Sequence, residues 1–215
     1  MIFVQIILVA IIAYLIGSIP FGYLIARRGG IDITQHGSGR MGATNVLRTM
    51  GRKTAFAVAL LDIIKGVLAV VIAGLVVGRE VGSVGSWTIN LLSAQVIAGL
   101  AAVCGHIWPV FHSFKGGRGV ATFFGGFIAL YPAAAIFGGE AFIISAGISG
   151  FASLGSITGV VGAYAILIPL TVFSGFPVEY LAYALIGGTL IVLLHRDNLK
   201  RLIAGKERKL SEKAL

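Results

Sequence analysis

The chain has 215 residues, of which 57% are hydrophobic and 12% are charged, whereas soluble domains usually contain about 25% charged residues. This composition excludes a soluble globular domain and indicates a membrane protein. The formal net charge is +9, but the basic residues are grouped in three short segments, so we expect no nucleic-acid partner. We predict one integral membrane domain over residues 1–215.

Apolar runs predict the crossings in chain order. Residues 2–26 form 25 uncharged positions, more than the roughly 20 that a helix needs to cross the hydrocarbon core. Stretches at about 54–77 and 87–110 predict two more crossings, with Arg79 and Glu80 in the turn between them. Residues 120–195 carry only two charges, Glu140 and Glu179, and four crossings account best for so much apolar chain. We predict an all-α polytopic membrane protein with about seven transmembrane helices.

The positive charges predict the orientation. Residues 27–53, residues 115–118 and the segment from 196 onward together hold 15 of the 17 Lys and Arg residues. Basic segments next to membrane helices usually face the cytoplasm. We therefore expect the N-terminus outside, the C-terminus in the cytoplasm, and the polar chemistry at the cytoplasmic face.

The first polar segment, residues 37–48, reads GSGRMGATNVLR. Its glycines let the backbone approach a ligand, its short polar side chains can form hydrogen bonds, and its last arginine can clamp a phosphate with two parallel N–H bonds. The candidate ligand-binding residues are Gly37, Ser38, Gly39, Gly42, Thr44, Asn45 and Arg48. The alternative interpretation is a solvated basic loop beside the membrane.

The second polar segment, residues 114–122, reads FKGGRGVAT and leads into an apolar helix. Consecutive glycine N–H groups at a helix start can bind an anion, because the positive end of the helix dipole adds to the neighbouring basic side chains. The candidates are Lys115, Gly116, Gly117, Arg118 and Gly119. The spacing differs from that of a Walker A loop, and a flexible turn is the alternative.

The third polar segment, residues 195–207, reads HRDNLKRLIAGKE. His195 and Asn198 are three residues apart, which places them on one face of a continuing helix. Glu207 is expected to form structural pairs. A basic tail attracted to anionic lipid is the alternative.

Asp62 and Lys65 lie within the second apolar run. Charged residues inside the membrane are expensive and often functional, but two opposite charges three residues apart can also form a structural pair, the role we assign to them. His106 and His112 flank a Trp-Pro pair and are expected to be hydrogen-bonded packing residues.

With these segments, and with GSIPFGYLIAR at 17–27 and LDIIKG at 61–66, the chain closely resembles the bacterial acyl-phosphate:glycerol-3-phosphate acyltransferases from its first helix to its C-terminal tail. The resemblance implies a seven-helix enzyme of the bacterial inner membrane with its active site facing the cytoplasm. It implies transfer of an acyl group from acyl phosphate to glycerol 3-phosphate, giving 1-acylglycerol 3-phosphate (lysophosphatidate) and phosphate. No metal or other cofactor is implied, and the expected partners are glycerol 3-phosphate, acyl phosphate and membrane lipid.

The resemblance also implies roles for individual residues. The implied catalytic set is Ser38, Arg48, Lys115, His195 and Asn198. The implied binding set is Gly37, Gly39, Gly42, Thr44, Asn45, Gly116, Gly117, Arg118 and Gly119, with Ser153 as a further substrate contact and Glu207 as a structural support. The chain departs from the family pattern at Arg40, where Asn is usual, and at Arg118, where Lys is common.

The sequence contains no evident Ser-His-Asp arrangement, and no histidine is followed five residues later by Asp. Our hypothesis is that the substrate phosphates partly serve as proton acceptors, with Ser38 and His195 orienting groups. An anion or phosphate-ester transporter is the alternative function, although transporters usually have polar or broken helices near the bilayer midplane. A lipid-binding scaffold fits two glycine-rich anion loops poorly.

Overall fold

The computed structural model describes residues 2–78, 81–85 and 87–214, and these residues form ten α-helices and one two-stranded hairpin. Arg79 and Glu80, which we predicted to lie in the turn between the second and third crossings, are outside the described residues. The elements are α1 (Ile2–Gly17), α2 (Phe21–Arg28), α3 (Ala43–Met50), α4 (Arg52–Val77), β1 (Gly82–Val84), β2 (Trp87–Ile89), α5 (Leu91–Ile107), α6 (Val120–Leu130), α7 (Pro132–Ser149), α8 (Ala152–Ser174), α9 (Val178–Leu194) and α10 (Arg196–Ile203). Short 3-10 turns occur at Ile33–Gln35 and Val110–His112.

The first apolar run is one candidate span, residues 2–28, but its helix is interrupted. Helix α1 ends at Gly17 and α2 begins at Phe21. Pro20 explains the break, because proline has no N–H to donate to the helix and disfavours helical geometry in the residue before it. The Ile19 carbonyl at the break accepts a hydrogen bond from Lys65 Nζ at 3.3 Å.

The connection between α4 and α5 contains a small hairpin that the all-α prediction did not include. Strands β1 and β2 pair antiparallel, with Gly82 opposite Ile89. The following helix begins at Leu91 rather than near 87, because Asn90 caps it: the Asn90 Oδ1 accepts from Ser93 N at 3.1 Å.

Five segments of the described chain are long and apolar enough to cross a membrane: residues 2–28, 52–77, 91–112, 132–149 and 152–174. Helices α9 and α10 form a sixth if the pair, bent by 57°, is one span. The four helices predicted between 120 and 195 are present as α6 to α9, but α6 has only 11 residues. The count of seven crossings and the orientation of the termini stay predictions.

Helix α6 packs at the centre of the bundle. Phe123, Phe127 and Tyr183 are buried and in ring contact, and the Tyr183 hydroxyl donates to the Phe123 carbonyl at 2.9 Å. A Cβ at Gly66 of α4 would overlap the backbone of α6, and one at Gly125 of α6 would overlap the backbone of α4. Glycine therefore allows the close packing of α4 against α6.

Candidate active site at the polar end of the helices

The first polar loop, residues 37–42, is shaped by one buried side chain. Asn45 in α3 accepts a hydrogen bond from Ser38 N at 3.0 Å and donates to the carbonyls of Ile33, His36 and Arg40 at 3.3, 3.0 and 2.9 Å. These bonds engage both ends of its amide group. The structure therefore shows that the Asn45 side chain shapes the loop, and its role in ligand binding stays a prediction.

The turn around Asn45 leaves the polar candidates of the loop at the surface. Ser38 is exposed, and Thr44 is half-buried in the first turn of α3. Gly37 and Gly39 have positive φ angles of 58° and 66°, a conformation that glycine adopts without strain. A side chain at Gly37 would also overlap Asn45 Oδ1, so this glycine is required by the loop itself.

The second polar loop, residues 115–119, is attached to the end of α5. Gly116 N donates to the Ile107 carbonyl and Gly117 N to the His106 carbonyl, both at 3.1 Å. The predicted anion cradle of glycine N–H groups is therefore wrong for Gly116 and Gly117. Gly119 precedes α6 with a positive φ of 81°, and the unpaired N–H groups available to an anion there are those of the first turn of α6.

His106 explains why this second loop contains glycine. A Cβ on Gly116 would overlap the His106 carbonyl oxygen, and a Cβ on Gly117 would overlap His106 Nε2. The histidine that the sequence suggested was a packing residue thus supports the glycine loop directly. Only its position three residues before Pro109 was visible in the sequence, which does not indicate this contact.

His106 is in turn part of a buried charge cluster. Asp62 Oδ1 lies 2.8 Å from Lys65 Nζ and 3.4 Å from His106 Nδ1. The three residues are 3%, 2% and 5% exposed. Lys65 also reaches the Ile19 carbonyl at the α1–α2 break. The predicted pair of Asp62 and Lys65 is confirmed, and it connects α4 to the break in the first span and to the base of the glycine loop.

The first and second loops meet through Arg40. Its Nη1 donates to the Gly117 carbonyl at 3.3 Å. Arg118 lies within electrostatic range of Arg40 and Arg48, and burial together with the positive charge of Arg40 lowers the pKa of Arg118 to about 10. Segments separated by some 77 positions in the chain therefore contribute to one cationic region.

The third segment is organised around Glu207. Its carboxylate accepts hydrogen bonds from Asn198 Nδ2, from Ser153 Oγ at 3.0 Å and from Arg201 Nε at 2.7 Å. Burial favours the protonated acid, but the bonds from Asn198, Arg201 and Ser153 hold the pKa of Glu207 below its ordinary value. Glu207 thus has the structural position that we predicted. The hydroxyl of Ser153, which we predicted as a further substrate contact, donates a hydrogen bond to Glu207.

His195 is buried where α9 turns into α10. Its Nδ1 lies 2.7 Å from the Ile191 carbonyl. A carbonyl can only accept, so Nδ1 carries a proton and Nε2 of the neutral ring is left as an acceptor. The adjacent Asn198 has a buried Oδ1 with no partner among the described residues.

Arg48 and Lys115 differ in their surroundings. The Arg48 guanidinium donates to the carbonyls of Arg208 and Lys209 at 2.7 and 3.1 Å, so the two N–H groups that we assigned to a phosphate hold the C-terminal tail here. Arg48 also lines a polar cavity of about 350 Å³. Its other lining residues are Gln35, His36, Gly37, Arg208, Glu212, Lys213 and Ala214. Lys115 is exposed at the surface.

Among residues 2–78, 81–85 and 87–214, no group of three or more His, Cys, Asp or Glu side chains is placed to hold a metal ion.

Comparison with known proteins decides the family. The sequence model of the family described as glycerol-3-phosphate acyltransferase matches residues 7–205. The chain belongs to this family. It is 67% identical over 215 residues to glycerol-3-phosphate acyltransferase 3 of Dehalococcoides mccartyi, with both chains covered completely. It is 40% identical over 207 residues to the glycerol-3-phosphate acyltransferase of Halalkalibacterium halodurans, covering 96% of each chain.

A solved structure agrees with this family. The crystal structure of PlsY (YgiH), an integral membrane glycerol 3-phosphate acyltransferase in its glycerol 3-phosphate form, superposes with a TM-score of 0.82 and 38% identity over 95% of this chain and 94% of that chain. The chain is therefore a multi-pass, helical membrane acyltransferase. Family membership and the predicted fold class are confirmed, and the acyltransferase interpretation is favoured over the transporter.

Proposed function

We propose that this chain transfers an acyl group from acyl phosphate to glycerol 3-phosphate, giving lysophosphatidate and inorganic phosphate. One observation carries the proposal: Arg40 of the first loop contacts Gly117 of the glycine loop, and Arg118 lies near Arg201 and Glu207 of the third segment. The three cationic segments thus form one polar region at the end of apolar helices. A phosphorylated, water-soluble acceptor and a lipid-borne acyl donor require such a junction.

The family supports the choice of substrates. The two solved structures of PlsY that resemble this chain are described as its glycerol 3-phosphate form and its lysophosphatidic acid form, which are the acceptor and the product of the proposed reaction. Both molecules carry a phosphate ester, for which arginine and lysine supply charged hydrogen-bond donors. Acyl phosphate as donor adds a second phosphoryl group for the same region.

In the proposed reaction, a glycerol 3-phosphate hydroxyl attacks the carbonyl carbon of acyl phosphate. The new ester C–O bond forms, the bond between the acyl carbon and the phosphate oxygen breaks, and the hydroxyl proton leaves with the phosphate. Phosphate is a good leaving group, so positioning and charge stabilisation provide most of the rate. Ser38 and His195 orient the reacting groups, and the acceptor Nε2 of His195 suits a hydroxyl.

The site roles follow from this chemistry. Arg48, Lys115 and Arg118 bind phosphoryl groups, together with the free N–H groups at the start of α6. Ser38, Gly39, Gly42 and Thr44 form the surface of the first loop around the substrate. Asn198 Oδ1, which has no partner in the described chain, is a further acceptor for a substrate hydroxyl.

We place the reaction at the cytoplasmic face of the bacterial inner membrane, with residues 1–215 acting as one domain. The support is the distribution of positive charge: the basic segments at 27–53, 115–118 and 196–213 flank apolar helices, and such segments face the cytoplasm. Cysteine labelling of Ser38→Cys and Ser174→Cys variants, each in a chain with Cys104→Ala, tests this orientation in intact cells, because Ser174 is exposed at the end of α8, before the turn to α9.

The deciding experiment uses the full chain reconstituted in lipid vesicles, with acyl phosphate and radiolabelled glycerol 3-phosphate. We expect equal amounts of lysophosphatidate and inorganic phosphate, both dependent on the two substrates. Phosphate release without lysophosphatidate would contradict the proposed transfer. Accumulation of labelled glycerol 3-phosphate inside vesicles without product would favour transport.

Arg48→Ala and Lys115→Ala test the phosphoryl-binding roles. Each removes one cation from the site, and loss of a charged donor at a reacting centre typically costs about 100-fold or more in rate. Arg52→Ala removes an exposed arginine at the start of α4 and should leave the rate unchanged. Near-normal rates in both site variants would contradict the assignment. Full loss of turnover in His195→Ala with intact glycerol 3-phosphate binding would instead identify His195 as a general base.

A further inference from the structure

Arg40 lies between the two loops of the site, at a position where the sequence pattern gave it no role. Its Nη1 donates to the Gly117 carbonyl at 3.3 Å. A guanidinium has five N–H donors, and this is its only hydrogen bond to the described part of the chain. The contact fixes the side chain against the glycine loop and leaves most of its donors unused.

The neighbour of Arg40 carries the same charge. Arg118 follows Gly117 directly, and the charge of Arg40 contributes to the lowered pKa of Arg118. The Arg118 Nε is buried and has no hydrogen-bond partner among the described residues. Two neighbouring guanidinium charges with unused donors favour the binding of an anion that neutralises them.

The protein supplies little of that negative charge. Glu207 is the carboxylate that interacts with Arg118, and it is already bound to Arg201, Asn198 and Ser153. Because the Glu207 carboxylate is shared among these partners, it does not balance the positive charges of Arg40 and Arg118. A ligand with two negative charges and several acceptor oxygens would balance them.

We propose that Arg40 is a substrate-binding residue that forms, with Arg118, a two-arginine site for a phosphoryl dianion, while the Gly117 carbonyl holds the Arg40 guanidinium in place. A phosphoryl group matches the fork of an arginine with two parallel N–H···O bonds. The proposal rests on the proposed acyl transfer, whose two substrates both carry a phosphoryl group. The shared chemistry is therefore a phosphate monoester or an acyl phosphate.

A purely structural role for Arg40 makes a different prediction. Glutamine donates a hydrogen bond and can keep the contact with Gly117 O, but it has no charge. Lysine keeps the charge but lacks the fork. If Arg40 only joins the two loops, Arg40→Gln should preserve substrate binding. If Arg40 binds a phosphoryl group, Arg40→Gln should weaken it and Arg40→Lys should restore part of it.

The experiment measures steady-state kinetics of the reconstituted chain with each substrate varied in turn. For Arg40→Gln we expect KM to rise about tenfold for at least one phosphoryl substrate, with a smaller change in kcat, and Arg40→Lys to lie between Arg40→Gln and the wild type. A rise for glycerol 3-phosphate alone places the acceptor at the two arginines, and a rise for acyl phosphate alone places the donor there. Arg52→Gln is the matched control and should change neither KM.

A binding measurement separates this inference from the proposed function. Inorganic phosphate should raise the thermal unfolding temperature of the detergent-solubilised wild type, and the effect should shrink in both Arg40 variants. Unchanged KM values for both substrates in folded Arg40→Gln, or a fall in kcat alone, would overturn the role of Arg40. If the wild type forms no lysophosphatidate while the phosphate effect still depends on Arg40, the proposed transfer fails and the anion site stands.

Discussion

Two charged regions of the molecule differ in how their charges are balanced. Within the helices, Asp62 is buried against both Lys65 and His106. At the polar end, Arg118 and the arginines that interact with it outnumber the nearby carboxylate of Glu207. These arginines are Arg40, Arg48, Arg118 and Arg201. The first region is nearly neutral within itself, whereas the second has an excess of positive charge.

The charge balance of each region limits what that region can do. A buried charge without a partner is strongly unfavourable, so the inner cluster can persist only as a balanced structural unit. The polar end is partly solvated and tolerates excess charge, which a phosphorylated substrate neutralises. His106 connects the two regions, since it belongs to the inner cluster and contacts Gly116 and Gly117 of the second loop.

The largest expected effect on stability comes from removing one charge of the buried Asp62–Lys65 pair. Asp62→Asn leaves Lys65 buried without its carboxylate, and removal of one member of a buried pair costs about 3–5 kcal/mol of stability. We expect a large fall in the thermal unfolding temperature in detergent, measured by the loss of the monodisperse peak in size-exclusion chromatography. Replacing both residues with apolar side chains, Asp62→Leu with Lys65→Met, should recover much of this loss. A stable Asp62→Asn variant would show that the cluster is not a balanced pair.

A smaller effect is expected where the two regions meet. Gly117→Ala places a Cβ against His106 Nε2, so the loop has to move away from α5. A displacement of about 1 Å in an active site can reduce the rate about 100-fold, and we expect a loss of that order in kcat/KM with a modest effect on stability. Gly139→Ala in α7, where the added Cβ has open space, is the matched control. Equal activities of both variants would separate the glycine loop from catalysis.

The smallest effect concerns Glu207 at the polar end. Glu207→Gln removes the ion pair with Arg201, and hydrogen bonds to a partly solvated charged group stabilise by about 1–2 kcal/mol. Because the pKa of Glu207 is lowered in the folded chain, its contribution is present above the ordinary glutamate pKa and is lost as the pH falls through the lowered value.

Thermal unfolding of wild type and Glu207→Gln across an acidic pH series measures this contribution. The two curves should differ at neutral pH and converge in acid. Asp197→Asn, which neutralises an exposed carboxylate of α10, is the matched control. A constant difference between wild type and Glu207→Gln across the series would mean that its charge has no part in stability.

Much of the fold was predictable because the length of an apolar run can be read from neighbouring residues. The apolar runs identified α4, α5 and the four helices from α6 to α9, and the positions of the polar segments followed from them. The break at Pro20 was also visible in the sequence as a proline, but a run of uncharged residues was given more weight. The hairpin at 82–89 follows no strong sequence pattern, because three-residue strands carry little alternation.

The sequence predicted which segments form the site more accurately than it predicted what each side chain in them contacts. Asn45 and Ser153 were expected to contact ligand, but their side chains bind the loop backbone and Glu207. The N–H groups of Gly116 and Gly117 were expected to face an anion, but they bind the end of α5. No sequence pattern indicates with which of several possible partners a polar group will form its hydrogen bond.

The sequence by itself determined that the chain lies in a membrane, which family it belongs to, and which three segments hold its polar chemistry, because composition, hydrophobic length and motif are properties of neighbouring residues. Only the tertiary structure decided that Arg40 reaches Gly117, that His106 supports the glycine loop, and that Arg48 holds the C-terminal tail. Those contacts join residues far apart in the chain, and each depends on which donors and acceptors the packing of the helices leaves unsatisfied.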